Sequence, residues 1–96
     1  MSKRILIADD EKSIRDSIKI ILDDEGYETY TAADGEEALN RLSSENFDLV
    51  ISDIKMPKLD GMELLEKGSK ISPETYFIIM TAYASITSAI QALRSG

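Results

Sequence analysis

The sequence contains neither cysteine nor histidine. Disulfides and thiol catalysis are therefore excluded, and so are the zinc sites and acid–base steps that depend on an imidazole. Any reactive group must be a carboxylate, a hydroxyl, a lysine or a backbone amide. The chemistry that these groups perform best without histidine is the binding of hard cations and the transfer of groups to oxygen.

Basic residues and long apolar runs are also scarce. Eleven Lys and Arg stand against 18 Asp and Glu, a net charge of −7. Because nucleic-acid binding needs a basic stripe, no direct nucleic-acid contact is expected. The longest uncharged apolar run, residues 76–80, is too short to span a bilayer, and residues 1–15 do not resemble a signal peptide. These features predict a cytoplasmic protein without a membrane segment.

The chain alternates short apolar runs with segments of helical periodicity, which predicts an α/β domain. Its 96 residues allow one domain, 1–96. The predicted strands cover residues 5–8, 27–32, 47–52 and 76–80, and the predicted helices cover 13–25, 36–45, 62–70 and 85–95. Strand–helix alternation implies right-handed crossovers and a parallel sheet covered by helices on both faces. In such doubly wound sheets, ligands bind beyond the carboxyl ends of the strands.

Carboxylates follow three of the four predicted strands. Asp9, Asp10 and Glu11 follow the first strand, Asp34 follows the second and Asp53 follows the third. Each has a simple explanation by itself, as a helix cap or a turn residue. If the first and third strands are neighbours, however, Asp9, Asp10 and Asp53 converge and repel one another unless a cation neutralises them.

Mg²⁺ suits that position, because it takes a few carboxylate oxygens together with carbonyl and water ligands. The fourth strand ends at Thr81 and Ala82, whose hydroxyl and backbone amide could bind an anion beside the metal. A carboxylate nucleophile, a metal and an anion-binding hydroxyl together describe phosphoryl transfer to an aspartate.

Four segments resemble the receiver domain of two-component response regulators. They are Ala8-Asp9-Asp10-Glu11, Asp53-Ile54-Lys55-Met56-Pro57, Asp60-Gly61 and Met80-Thr81-Ala82-Tyr83. The resemblance extends from residue 3 to residue 96. It implies a flavodoxin-like fold with strand order 2-1-3-4. The segment from residue 81 to the last residue is most similar to receivers that activate σ54-dependent transcription.

Carried over by position, the resemblance makes Asp53 the phosphoacceptor for a histidine kinase. It assigns Mg²⁺ to Asp10 directly, to Asp9 through water, and to Asp53 and the Lys55 carbonyl. Thr81 and the Ala82 amide would hold phosphoryl oxygens. The domain would signal to an output domain that is absent from this chain, and at most phosphorylate and dephosphorylate itself.

Receivers continue with a fifth strand, a fifth helix and a lysine that pairs with the phosphoryl group, whereas this sequence ends at Gly96. We therefore expect an incomplete receiver, truncated or engineered, that binds metal and is phosphorylated weakly. The chain is expected to form a homo-oligomer through its uncharged fourth strand or through the helix after it. A flavodoxin-like mononucleotide module and a dehalogenase-type hydrolase are alternatives, although Asp9-Asp10-Glu11 would repel a phosphate and lacks the hydrolase spacing.

Overall fold

The computed structural model describes residues 3–80, which form one four-stranded parallel sheet and three helices. The strand order is β2-β1-β3-β4. The strands are β1 (Arg4–Ala8), β2 (Glu28–Ala32), β3 (Leu49–Asp53) and β4 (Tyr76–Met80), and the helices are α1 (Lys12–Asp24), α2 (Gly35–Ser44) and α3 (Gly61–Ile71). The α/β class and the 2-1-3-4 order are thus confirmed. The helix predicted at 85–95 lies outside the described residues.

The two central strands are buried because helices cover both faces of the sheet. Side chains of β1 and β3 alternate between two clusters. One cluster lies under α2 and α3 and includes Leu6, Val50, Ala38, Leu42 and Leu64. The other lies under α1 and includes Ile5, Ile7, Ile51, Ile18 and Leu22. This two-sided burial explains why the central strands show no alternation of polar and apolar residues.

Strand β4 has the predicted bounds, and the ends of the other elements lie within two residues of the predicted ones. Strand β3 reaches Asp53, because this residue pairs with Met80 of β4. Phe47 lies before β3, yet its side chain is 5% exposed and packs on the core. Burial alone therefore marks the core better than it marks the strand boundary.

Helix α3 contains a glycine in its interior, and close packing explains it. A Cβ at Gly68 would lie 2.7 Å from Cζ of Phe77 and 3.1 Å from Cδ1 of Leu42. The glycine thus lets α3 approach both β4 and α2. Tertiary contact here overrides the low helix propensity of glycine, and α3 continues to Ile71. Among the described residues, no helix combines the length and the apolar character that crossing a membrane requires.

Helix α3 begins at a reciprocal cap. The Asp60 carboxylate accepts a hydrogen bond from the Glu63 amide at 2.8 Å, and the Glu63 carboxylate accepts one from the Asp60 amide. This capping box satisfies two backbone N–H groups that the helix itself leaves without partners. It also fixes where the loop after β3 ends.

Replacing Asp60 with alanine should lower the free energy of unfolding by about 1 kcal/mol, the usual cost of losing a helix cap. Asp60→Asn is the matched control, because asparagine caps nearly as well as aspartate. Urea unfolding followed by circular dichroism measures both variants. Equal stability of the alanine and asparagine variants would show that the cap contributes nothing.

Candidate functional site

Parallel pairing of β1 and β3 brings the predicted acidic residues together. Ala8 pairs with Ser52, so the residues that follow them, Asp9 and Asp53, lie side by side at the carboxyl end of the sheet. One carboxylate oxygen from each of Asp9, Asp10 and Asp53 lies within 4.8 Å of the other two. The convergence predicted from the sequence is therefore present in the structure.

The three carboxylates differ in exposure, and none is neutralised by a basic side chain of residues 3–80. Asp9 is 2% exposed, Asp53 is half-buried and Asp10 is exposed. The salt bridges within the described part of the chain involve other acids. Asp9 accepts one hydrogen bond, from the Glu11 amide to Oδ1 at 2.9 Å. Three negative charges thus share a small space, and within residues 3–80 the Glu11 amide is the one hydrogen-bond donor to them.

Burial raises the pKa of the Asp9 carboxyl above its ordinary value of 3.8. The hydrogen bond from the Glu11 amide acts in the opposite direction, and the negative charges of Asp53, Asp10 and Glu11 raise the pKa further. Desolvation and like-charge repulsion are the two effects that a bound cation would offset. The site is therefore electrostatically suited to a divalent cation.

The β1–α1 turn that carries Asp9 is held by its backbone. The Asp9 amide donates to the Ala32 carbonyl at 3.2 Å, and the Arg15 guanidinium donates to the Asp9 carbonyl at 2.7 Å. Arg15 thus contacts the main chain of Asp9 while the carboxylate stays available. Sequence reasoning missed this residue, because an arginine in the first turns of a helix carries no signal of a tertiary contact.

The loop from residue 54 to residue 60 follows Asp53 directly in the sequence. The Lys55 side chain is exposed, and within residues 3–80 no group donates a hydrogen bond to its carbonyl. Gly61 closes the base of the loop, since its amide donates to the Ile54 carbonyl at 2.9 Å. A Cβ at Gly61 would lie 2.3 Å from the Asp53 carbonyl oxygen, so only glycine permits this approach. The three carboxylates are oxygen donors of the kind that Mg²⁺ prefers.

Two other acids at this edge serve the helices. Glu11 occupies the N-cap position of α1 without a side-chain cap bond, whereas Asp34 caps α2 by accepting from the Glu37 amide at 2.8 Å. Thr81 and Ala82, the predicted anion-binding residues, lie outside the described residues. Met80, the last described residue, accepts a hydrogen bond at its carbonyl from the Ile54 amide at 2.9 Å.

Residues 5–96 match the response regulator receiver domain family. The chain belongs to this family, and the resemblance stated from its motifs is confirmed. It is a response regulator receiver domain.

Curated relatives have similar sequences and different total lengths. The chain is 41% identical to sporulation initiation phosphotransferase F of Bacillus subtilis over 86 residues, which cover 90% of this chain and 69% of the relative. It is 39% identical to regulatory protein AtoC of Escherichia coli over 93 residues, 97% of this chain and 20% of AtoC. The chain thus spans a small part of relatives such as AtoC.

Solved structures agree with the fold. A CheY-like receiver domain from Methanospirillum hungatei is 45% identical with a TM-score of 0.84, covering 100% of this chain and 77% of that one. Response regulator TrrA of Thermotoga maritima in complex with Mg²⁺-BeF is 44% identical with a TM-score of 0.81, covering 95% and 79%. In a complex of histidine kinase ThkA with TrrA, the matching chain is 47% identical with a TM-score of 0.79, covering 86% and 72%.

Replacing Asp9 with asparagine should stabilise the metal-free protein at neutral pH. When folding raises the pKa of a carboxyl, the protein loses stability as the pH rises from the pKa of the unfolded state through the pKa of the folded state. The penalty is complete above that range, so the advantage of Asp9→Asn should fade as the pH falls toward 3.8. Asparagine keeps an oxygen for the Glu11 amide.

Thermal melts with and without Mg²⁺ check both parts of this prediction. The variant should melt at a higher temperature than the parent without metal, and it should gain less from added Mg²⁺. Asp24→Asn, an exposed acid of α1 outside the cluster, is the control. A metal-free Asp9→Asn protein less stable than the parent would refute the electrostatic explanation.

Proposed function

We propose that Asp53 accepts a phosphoryl group from a histidine kinase, with Mg²⁺ held by Asp9, Asp10, Asp53 and the Lys55 carbonyl. The convergence of three carboxylates within 4.8 Å is the observation that carries this proposal. The complex of TrrA with Mg²⁺-BeF and the complex of TrrA with ThkA support it, since both involve a response regulator similar to this chain.

The resemblance to receivers assigns Asp53 as the nucleophile, and its exposure favours it over Asp9. Asp9 is buried, with one oxygen occupied by the Glu11 amide, whereas Asp53 is half-buried at the end of a strand. A carboxylate oxygen of Asp53 would attack the phosphorus of a phosphohistidine. The new O–P bond forms as the N–P bond breaks, and the imidazole leaves with the electron pair of that bond. The metal supplies positive charge that offsets the repulsion between carboxylate and phosphoryl oxygens.

Thr81 and the Ala82 amide would bind the phosphoryl oxygens on the side away from the metal. The parallel pairing of Asp53 with Met80 supports this role, because Thr81 follows Met80 directly in the sequence. The Thr81 hydroxyl would also report the modification by moving toward the phosphoryl group. That movement would alter the surface that a partner domain contacts.

The output is proposed to be transcription. The similarity to AtoC covers 97% of this chain and agrees with the predicted σ54-activator class. That relationship supports an output domain and a cytoplasmic location, and the whole regulator's partners belong to the same proposal. Any catalysis would be limited to self-phosphorylation and self-dephosphorylation at Asp53. A mononucleotide module is disfavoured, since the carboxylates after β1 would repel its phosphate.

Treatment with a small phosphoryl donor and Mg²⁺ should modify Asp53 alone. Mass spectrometry of the intact protein and its peptides measures the modification. Asp53→Asn should abolish it, and Asp10→Asn should slow it roughly ten-fold or more, the effect of losing one electrostatic contact to the transferring group. Asp24→Asn should behave as the parent. Modification of the Asp53→Asn protein at another residue would contradict the assignment.

We further propose that this chain forms a homo-oligomer, most simply a two-fold dimer, through β4 or the segment after it. Strand β4 is the last strand of the described sheet, and its first residue, Tyr76, is 67% exposed. The strand has no charge, proline or glycine. Such an edge favours pairing with another strand, and apolar contact at short range opposes the screened repulsion of two acidic copies.

A charge on this edge should shift the chain toward monomer. Ile79→Lys places a lysine in the middle of β4, where natural edge strands use lysine against association. Light scattering over a range of concentrations measures the change. Ile20→Lys is the control, because Ile20 is 62% exposed on α1. A parent protein that stays monomeric at high concentration would refute the proposed association.

A further inference from the structure

The β3–α3 loop, residues 54–60, makes two contacts with the beginning of α2 that no step of phosphoryl transfer uses. One is steric and involves Gly35 and Leu59. The other is an ion pair between Asp34 and Lys58. Both contacts involve the second half of the loop, three and four residues after Lys55. In the sequence, Lys55 therefore lies between these contacts and Ile54, whose carbonyl accepts from the Gly61 amide at the base of the loop.

The steric contact leaves no room for a side chain at Gly35, the first residue of α2. A Cβ at Gly35 would lie 2.0 Å from the Leu59 carbonyl oxygen and 2.8 Å from its carbonyl carbon. Both atoms are backbone, so they cannot swing away as a flexible side chain would. Leu59 itself is 8% exposed and packs in the core beneath α2 and α3. Gly35, the first residue of α2, therefore determines how closely the Leu59 backbone approaches this helix.

The ion pair acts on the adjacent residue. Asp34 uses Oδ1 to cap α2 and places Oδ2 3.7 Å from Nζ of Lys58. Lys58 has a φ of 70°, in the left-handed region that side chains rarely adopt. The Leu59 amide donates to the Pro57 carbonyl at 2.8 Å across this residue, which forms a tight turn. The lysine thus holds an unfavourable backbone conformation while its side chain reaches α2.

We propose that Asp34, Gly35 and Lys58 are positioning residues that set the β3–α3 loop for metal binding through the Lys55 carbonyl. The inference rests on the proposed Mg²⁺ site and identifies what holds one of its ligands. Gly35 is the first residue of α2 and Asp34 is its N-cap, and Lys58 and Leu59 lie three and four residues beyond Lys55. Displacement of the turn would shift the loop segment that contains the Lys55 carbonyl, while Asp9, Asp10 and Asp53 would stay at the ends of β1 and β3.

Two substitutions test the contact in different ways. Gly35→Ala adds one methyl group, changes no charge and forces the Leu59 backbone outward. Lys58→Gln removes a positive charge near an acidic site, which by Coulomb's law alone strengthens Mg²⁺ binding. The positioning role predicts the opposite sign, because the turn loses its partner on α2. Lys58→Arg keeps the cation and should retain the parent affinity.

The measurement is the Mg²⁺ dissociation constant of each variant, from amide shifts in an NMR titration. Gly35→Ala should weaken binding roughly five-fold or more, the lower range for energetic coupling between two positions. Lys58→Gln should weaken binding by a smaller factor. The controls are Gly68→Ala, a methyl group added against the tip of Phe77, and Lys67→Gln, an exposed charge removed from α3. Gly68→Ala should leave the affinity unchanged, and Lys67→Gln should leave it unchanged or raise it slightly.

The possible results separate this inference from the proposed function. Parent-like or tighter binding by both Gly35→Ala and Lys58→Gln would overturn the positioning role and leave the metal site intact. Absence of binding by the parent protein would overturn both. If Gly35→Ala does not fold, the comparison of Lys58→Gln with Lys58→Arg decides: weakening by glutamine and rescue by arginine support the inference, and equal affinities refute it.

Discussion

Repulsion among three carboxylates is the constraint on which the rest of this structure depends. The register of β1 and β3 places Asp9 beside Asp53, and Asp10 follows on the same turn. The core that fixes this register is apolar and buried on both faces, so the strands cannot slide apart to relieve the repulsion. The repulsion at this acidic site lowers the stability of the fold. A divalent cation would relieve the repulsion, so metal binding would stabilise the folded state.

Much of the fold could be predicted from the sequence because its signals are local. The apolar run of β1 and the helical spacing of Ile18 and Leu22 mark residues that are buried in the structure. The order 2-1-3-4 came from the resemblance to receivers, and the parallel sheet from strand–helix alternation. The exact ends of the elements depend on partners distant in the chain, such as Met80 beside Asp53, and local patterns cannot specify them.

The site divides in the same way. Asp9, Asp10 and Asp53 could be predicted, because strand ends on neighbouring parallel strands must meet. The contacts that hold the β1–α1 turn and the β3–α3 loop could not be predicted. Arg15 donates to a carbonyl, Gly35 matters through a distance to the Leu59 backbone, and Lys58 matters through a backbone angle and a distant aspartate. None of these roles follows from residue type or spacing, since each depends on two segments packed in three dimensions.

The central claim is that this acidic edge is a metal site formed by the two strand ends and the loop after β3. An NMR titration of the unmodified chain with Mg²⁺ tests it most directly. The account predicts saturable amide shifts confined to Ala8–Glu11 and Asp53–Lys55, accompanied by a rise in melting temperature. Shifts spread evenly over the acidic surface, or none that saturate, would contradict it.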